Sequence, residues 1–261
     1  MRDVLTELSP EGLAVCWLGH GSVVVGLDDT IVAVDPVLSD RIGPRLGRRT
    51  VGLRRLAPPP LGAESLKGLD LLLITHAHFD HLDRPTLRAM ADERTMVIVP
   101  RRCRRLIPKG FRGVIELGPG ESYRHGSTHI RAVQPRHWGA RTWLDRRRGS
   151  CSYTIDCGET RVLFVGDTAE TNEFDEMSGL DLAVFGIGAY DPWEHMHATP
   201  EQAWRMFIAS GARYLLPVHH STFPLSDEPV DEPMQRLLSA AGDDRERVIV
   251  PTAGEIDIVP C

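Results

Sequence analysis

Several things are scarce or missing in this sequence, and each absence narrows what the chain can be. Lysine is nearly absent: Lys67 and Lys109 stand alone, so 28 of the 30 basic residues are arginine. Cysteine is sparse and unpatterned. Cys16, Cys103, Cys151, Cys157 and Cys261 are an odd number with no C-x-x-C pair, which argues against a disulfide framework and reads as reduced thiols in a cytoplasmic protein. No apolar run approaches the ~20 residues that span a bilayer; Leu71 to Ile74 is typical. The first 20 residues carry Asp3, Glu7 and Glu11 and lack the apolar stretch of a signal peptide. There is no G-x-S-x-G elbow, the signature of one common serine nucleophile. Low-complexity tracts and short-period repeats are also missing, which excludes solenoids.

What is present is an acidic chain of 261 residues, 42% apolar, with a formal net charge of −6. That apolar content supports a substantial core without covalent staples, and we read residues 1–261 as a single domain. The acidic balance gives no electrostatic case for nucleic acid. The 11 histidines are unusual, because imidazole near neutral pH serves both as a proton carrier and as a metal ligand.

Strand and helix signals alternate. Val23 to Val25 and Ile31 to Val34 flank the turn-forming pair Asp28-Asp29 and predict a hairpin. An arginine-, glycine- and proline-rich loop runs from Arg41 to Pro60. Leu69 to Thr75 and Met96 to Pro100 read as buried strands. A helix is expected after Asp83, its candidate N-cap, with Pro85 in the first turn. A glycine-rich connection between Gly118 and Gly126 marks a midpoint. Strands then follow near 129–134, 151–157, 161–166, 182–187 and 213–218. The helix at 200–210 opens on a T-x-x-Q capping box, Thr199 to Gln202, and ends at Gly211; a last helix lies near 233–241. This pattern predicts an α/β layered fold.

The strongest signal is Thr75-His76-Ala77-His78-Phe79-Asp80-His81, directly after a buried strand. Four metal-capable side chains in six residues converge in a loop at a strand's C-terminal end, where α/β folds place their sites. Imidazole and carboxylate are the donors zinc takes when cysteine is absent. One loop rarely completes a site, and three further donors each follow an apolar strand: His137, Asp167 and His219.

At these residues the sequence resembles the metallo-β-lactamase fold superfamily, whose pattern is H-x-H-x-D-H followed by a lone His, a lone Asp and a last His. The resemblance implies an αββα four-layer sandwich holding two divalent metal ions, with zinc expected and Mn2+ or Fe2+ as alternatives. It also implies that His76, His78 and His137 hold one ion, that Asp80, His81 and His219 hold the other, and that Asp167 bridges them. Trp17-Leu18-Gly19-His20-Gly21-Ser22, Val34-Asp35-Pro36, His137-Trp138-Gly139 and Val218 through Phe223 further resemble the N-acylphosphatidylethanolamine phospholipase D family and its relatives, among them ascorbate-6-phosphate lactonase. Gly188 through Pro192, His197 and Pro200 through Ala203 extend the phospholipase likeness. His220 stands where that family usually carries tryptophan.

These residues predict a binuclear zinc-dependent hydrolase using a metal-bridging hydroxide. Asp80 is the residue expected to orient the hydroxide, and His197 and His20 are the candidates for proton delivery to the leaving group. Asp35 is expected to hold a loop or orient a ligand histidine. His125, His129, His195 and His220 receive no role. Arg141 is nominated to meet a substrate phosphate, because arginine's planar fork suits that group. A phosphodiester, in the manner of a phospholipase D, is the expected substrate of a small-molecule or lipid-like kind. The alternatives are a lactonase or other cyclic ester or amide hydrolase, a nucleic-acid-processing relative, an iron oxidoreductase and a non-catalytic metal-binding protein.

Overall fold

The computed structural model describes residues 4–8, 12–47, 49–142 and 145–260. Asp3, Glu11, Arg48 and Cys261, named above or part of the arginine-rich loop, lie outside the described residues. The other four cysteines are buried and form no disulfide among the described residues. None of the described helices is long and apolar enough to cross a membrane.

The chain opens with the short helix α1 (Val4–Glu7) and the meander β1 (Leu13–Gly19), β2 (Ser22–Leu27) and β3 (Thr30–Val34). The predicted loop from Arg41 contains two small ladders. In one, β4 (Arg41–Ile42) pairs with β7 (Leu53–Arg54); in the other, β5 (Arg45–Leu46) pairs with β6 (Arg49–Thr50). Next come β8 (Leu71–Leu73), α2 (Arg84–Ala89), β9 (Met96–Pro100) and β10 (Gly113–Leu117). The second half comprises β11 (Ser122–His125), β12 (Thr128–Val133), β13 (Ser152–Cys157), β14 (Thr160–Gly166), β15 (Leu182–Gly186), α3 (Pro200–Ser210), β16 (Tyr214–Val218) and α4 (Glu232–Ala241). The last strand, β17 (Ile256–Val259), returns to the first sheet beside β1.

Two mixed sheets result. One has seven strands in the order β10-β9-β8-β3-β2-β1-β17, the other six in the order β11-β12-β13-β14-β15-β16. The two-residue period of a strand sorts its side chains between layers. In β1, Leu13, Val15 and Trp17 join the core between the sheets, whereas Ala14, Cys16 and Leu18 face an outer cluster with Leu66, Leu82 and Leu87. In β14, Val162 and Phe164 face inward, and Leu163 and Val165 meet Trp204, Phe207 and Leu237 of α3 and α4. With both faces covered, these strands are apolar throughout. The layers are those of an αββα sandwich, although the layer over the first sheet consists of short helical turns.

The capping signals operate as the sequence implies. Asp83 caps α2, and Thr199 with Gln202 forms a reciprocal capping box on α3, which ends on Gly211 at φ 75°. Two elements differ from expectation. β11 occupies the glycine-rich connection, and β17 forms from a C-terminal stretch that carries no strand signal without its partner.

Strand direction positions the site. β2 is antiparallel to β1 and β3, and β3 is parallel to β8, so β1, β3 and β8 all end at the same edge of their sheet. In the other sheet β13 is antiparallel to β12 and β14, while β15 and β16 continue parallel, so β12, β14 and β16 end together.

Gly26 shows how tightly the outer layer closes: a Cβ there would lie 1.8 Å from the Leu8 carbonyl oxygen. Gly26→Ala should therefore lower unfolding free energy by about 1–3 kcal/mol, the usual range for overpacking, read as a reduced urea midpoint at unchanged slope.

Candidate metal centre

Six strand ends deliver their next residues to one edge. His20 follows β1, Asp35 follows β3, the His76 to His81 loop follows β8, His137 follows β12, Asp167 follows β14 and His219 follows β16. His20, Asp35 and His219 turn at positive φ (54°, 44° and 64°), a conformation uncommon outside glycine that clusters at functional sites. Gly188 makes room for the last turn, since a Cβ there would sit 2.3 Å from the His219 carbonyl oxygen.

Two groups of four donors each have their ligand atoms within 4.8 Å of one another, His76, His78, His137 and Asp167, and His20, Asp80, His81 and His219; Asp35 with His76 and His81, and Asp167 with His197 and His219, form smaller groups that overlap them. In the first, His76 Nε2 and His78 Nδ1 are 2.9 Å apart, and His137 Nε2 is 3.4 Å from the same Nδ1. In the second, Asp80 Oδ2 lies 3.0 Å from His20 Nε2, 3.5 Å from His219 Nε2 and 3.6 Å from His81 Nε2. Asp167 stands between them. Its Oδ2 is 3.4 Å from His76 Nε2 and 3.2 Å from His81 Nε2, and its Oδ1 is 3.2 Å from His219 Nε2.

The polar atoms left without hydrogen-bond partners test whether this cluster fits a metal. Both Asp167 oxygens, His81 Nε2 and His219 Nε2 are buried and unpartnered. Buried polar atoms rarely stay unpaired, and donors of this type in this number suit divalent ions. The residues fit two ions that share Asp167.

For His76, His81 and His137 the opposite ring nitrogen is engaged behind the cluster, which fixes which nitrogen faces inward. His81 Nδ1–H donates to Asp35 Oδ2 at 2.7 Å, and His137 Nδ1–H donates to the Met196 carbonyl at 3.0 Å. The Asp35 carboxylate also receives the Thr75 N–H at 2.7 Å and the Thr75 hydroxyl, and Thr75 Oγ1 is 3.0 Å from His76 Nδ1. Asp35 thereby steadies one histidine of each group, and Thr75 is the link that sequence reasoning passed over. Its only sequence signal was its place immediately before His76.

Arg141 is tied to the metal-ligand loop. Its Nη1 donates to the Ala77 and Leu82 carbonyls at 3.0 and 2.8 Å, and its guanidinium lies 4.0 Å above the Phe79 ring. It clamps the two ends of the metal-ligand loop. His220 stacks on Trp17 at 5.0 Å, and His195 is exposed on the surface. His197 stacks on His219 at 5.3 Å, with Nδ1 3.9 Å from Asp167 Oδ2.

A family model described as a β-lactamase superfamily domain matches residues 30–220. The chain is a metal-dependent hydrolase of the metallo-β-lactamase superfamily. Among curated proteins this hydrolase is 32% identical to an uncharacterised protein of Mycobacterium tuberculosis, over 93% of this chain and 68% of the relative. It is 30% identical to an N-acyl-phosphatidylethanolamine-hydrolyzing phospholipase D of Caenorhabditis elegans, over 95% of this chain and 76% of the relative. In fold, the hydrolase superposes on an isothiocyanate hydrolase from Delia radicum gut bacteria with a TM-score of 0.75 at 15% identity, covering 95% of this chain and 100% of the other. A metallo hydrolase from Ignicoccus hospitalis gives a TM-score of 0.68 at 22% identity, covering 94% and 97%.

Protonation divides the cluster. Burial, with neighbouring imidazoles adding to it, drives His20, His76, His78 and His137 down to about 3. Burial also opposes charge on His219 and His81, but adjacent carboxylates, Asp167 foremost, outweigh it. His219 rises to about 9, and His81 goes well above its ordinary value. Burial pushes Asp80 and Asp167 up, yet the surrounding histidines hold both well below the usual carboxylate range. Without metal, His81 and His219 therefore carry protons at neutral pH, and their Nε2 must release them to ligate.

Zinc binding to apoprotein at pH 7.5 should accordingly release two or more protons, read by calorimetry in buffers of different ionisation enthalpy, and apparent affinity should still be climbing with pH as His219 titrates near 9. Asp35→Ala should weaken metal affinity by roughly 10–100-fold in a chelator competition, with the fold retained by circular dichroism.

Proposed function

We propose that this hydrolase cleaves a phosphodiester, adding water across a P–O bond to give a phosphomonoester and an alcohol. The observation that carries this reading is the likeness over 95% of the chain to a phospholipase D, supported by two donor groups joined through Asp167. His76, His78, His137 and Asp167 would hold one ion. Asp80, His81, His219 and Asp167 would hold the other, with His20 beside Asp80. Zinc is the metal we expect. Bound there, two divalent ions supply Lewis acidity and lower the pKa of coordinated water from ~15.7 to ~7.

The chain's own groups then divide the work. Asp80, its side chain 13% exposed, is ionised and open to solvent in part. It accepts a hydrogen bond from the attacking water and aims a lone pair at phosphorus. His20 is 1% exposed and has its Nε2 committed to Asp80, so we assign it to holding that carboxylate and not to meeting the leaving group. His197 keeps 15% of its side chain exposed, more than His20 or His219. Burial lowers its pKa from 6.5, and cations at the centre push the same way. At neutral pH it is thus an uncharged imidazole, able to donate an N–H to charge building on a phosphoryl or leaving oxygen.

The test is a panel of bis-p-nitrophenyl phosphate and simple lactones presented to zinc- or manganese-loaded protein. Turnover of the diester is expected; turnover of lactones alone would replace this reading with a lactonase. Asp80→Asn should lower kcat by roughly 10²–10⁴ while metal analysis still finds about two ions per chain. Unchanged kcat would refute the role given to Asp80.

A further inference from the structure

The segment from Arg41 to Leu56 presents an arginine-rich surface on this acidic protein. Its two ladders place Arg41 directly across from Arg54, and Leu46 across from Arg49. Like charges facing each other across strands destabilise a ladder; Arg41 is steadied there by donating from Nη1 to the Gly52 carbonyl at 2.9 Å, and the facing positive charges remain for a partner to neutralise. Arg41, Arg45, Arg49 and Arg54 line a shallow surface cavity of about 520 Å³, in which Asp40 is the one acidic side chain. The chain as a whole has a net charge of −6.

The same ribbon also exposes aliphatic side chains. Leu46 is 78% exposed, Val51 54%, Leu53 38% and Leu56 50%, four of the ten large apolar side chains that stand out from the described surface. Single exposed leucines need no explanation, but four exposed aliphatic side chains in one short segment are a candidate interaction site. Interleaved with arginine, they narrow the partner. A free polyanion or a nucleic acid would engage the guanidinium groups and leave the leucines in water. A bilayer with anionic headgroups engages both, with arginine at the phosphates and aliphatic side chains at the interface below them.

The ribbon is fastened to the rim of the metal centre. Beneath it Arg55 is buried, donating from Nη1 to the Val37 carbonyl at 2.6 Å and from Nη2 to the Leu18 carbonyl at 3.0 Å. The Leu56 N–H donates to the Thr222 carbonyl at 2.9 Å, and the Thr222 hydroxyl oxygen accepts the His20 N–H at 2.6 Å. Ile42 packs with Val37 and Phe223, and the Phe223 ring lies 5.4 Å from that of His20. A surface that held the ribbon would lie beside the Asp80 and His219 side of the centre.

We propose that the Arg41–Leu56 ribbon docks this protein on an anionic lipid surface. The docking does not depend on the phosphodiesterase reading, because it is measured without turnover. The experiment is co-sedimentation of the metal-loaded full chain with phosphatidylcholine vesicles, alone or with about a third phosphatidylglycerol. Wild-type protein should pellet with the anionic vesicles only and be released by high salt.

Arg49→Glu with Arg54→Glu should weaken that binding at least about thirtyfold. This pair spares the fold, because the carboxylate introduced by the second substitution faces Arg41 across the ladder. Leu46→Asp with Val51→Asp should weaken binding to the anionic vesicles by more than tenfold. Arg104→Glu with Arg105→Glu, on another arginine-rich surface, should leave it within about twofold. Absence of wild-type binding to anionic vesicles overturns the proposal, as does binding that both ribbon variants retain. Loss with the arginine pair but not with the aliphatic pair also overturns it, since the ribbon would then be a site for soluble polyanions.

Discussion

The costliest arrangement in this protein is the removal of six imidazoles and two carboxylates from water to one sheet edge, their ligand atoms a few ångströms apart. Burial alone would neutralise every one of them. Instead the carboxylates stay ionised and two histidines stay charged, so the cluster is an ionic lattice with lone pairs left over. Such a lattice is suited to metal ions. The surrounding structure serves to keep those lone pairs aimed inward, and Asp35 carries much of that burden: one carboxylate, buried behind the donors, receives His81, the Thr75 amide and the Thr75 hydroxyl that meets His76. Orientation behind the donors matters as much as the donors themselves, since a ring rotated by a half-turn presents the wrong nitrogen.

Much of this is legible in the amino-acid sequence. The donors betrayed themselves by following apolar strands directly, as His76 follows Leu71 to Ile74 and His219 follows Leu215 to Val218. Thr199, Gln202 and Gly211 delimited α3 because capping is local chemistry. What escaped is what depends on distant partners. Nothing near His20 states that its Nε2 will meet Asp80, 60 residues away. The pairing of Ile256 to Val259 with β1 exists only once β1 offers an edge. The contacts of Arg141 were hidden for the same reason: the carbonyls of Ala77 and Leu82, out of sight in the primary structure, engage its Nη1.

Arginine therefore plays several parts that composition cannot separate. Arg55 and Arg141 are internal clamps that satisfy main-chain carbonyls and lie over phenylalanine rings. Arg101 and Arg148 form ion pairs with Glu121 and Asp145. Those of the Arg41–Arg54 ribbon line a surface cavity. The planar guanidinium, with five donors, does each of these things in a way that a lysine ammonium would not.

Alternating strand direction has a further effect. Because β1, β3 and β8, like β12, β14 and β16, all run toward the metal, the hairpin turns between β2 and β3 and between β13 and β14 fall at the opposite edge, where Gly158 and Asp28 come close to touching. The two edges are thus free to diverge independently. Length and sequence can change at the far turns without disturbing a ligand, while a new loop after β3, β8 or β12 starts beside the chemistry. A fold with one reactive rim and one inert rim can vary its substrates on a fixed core.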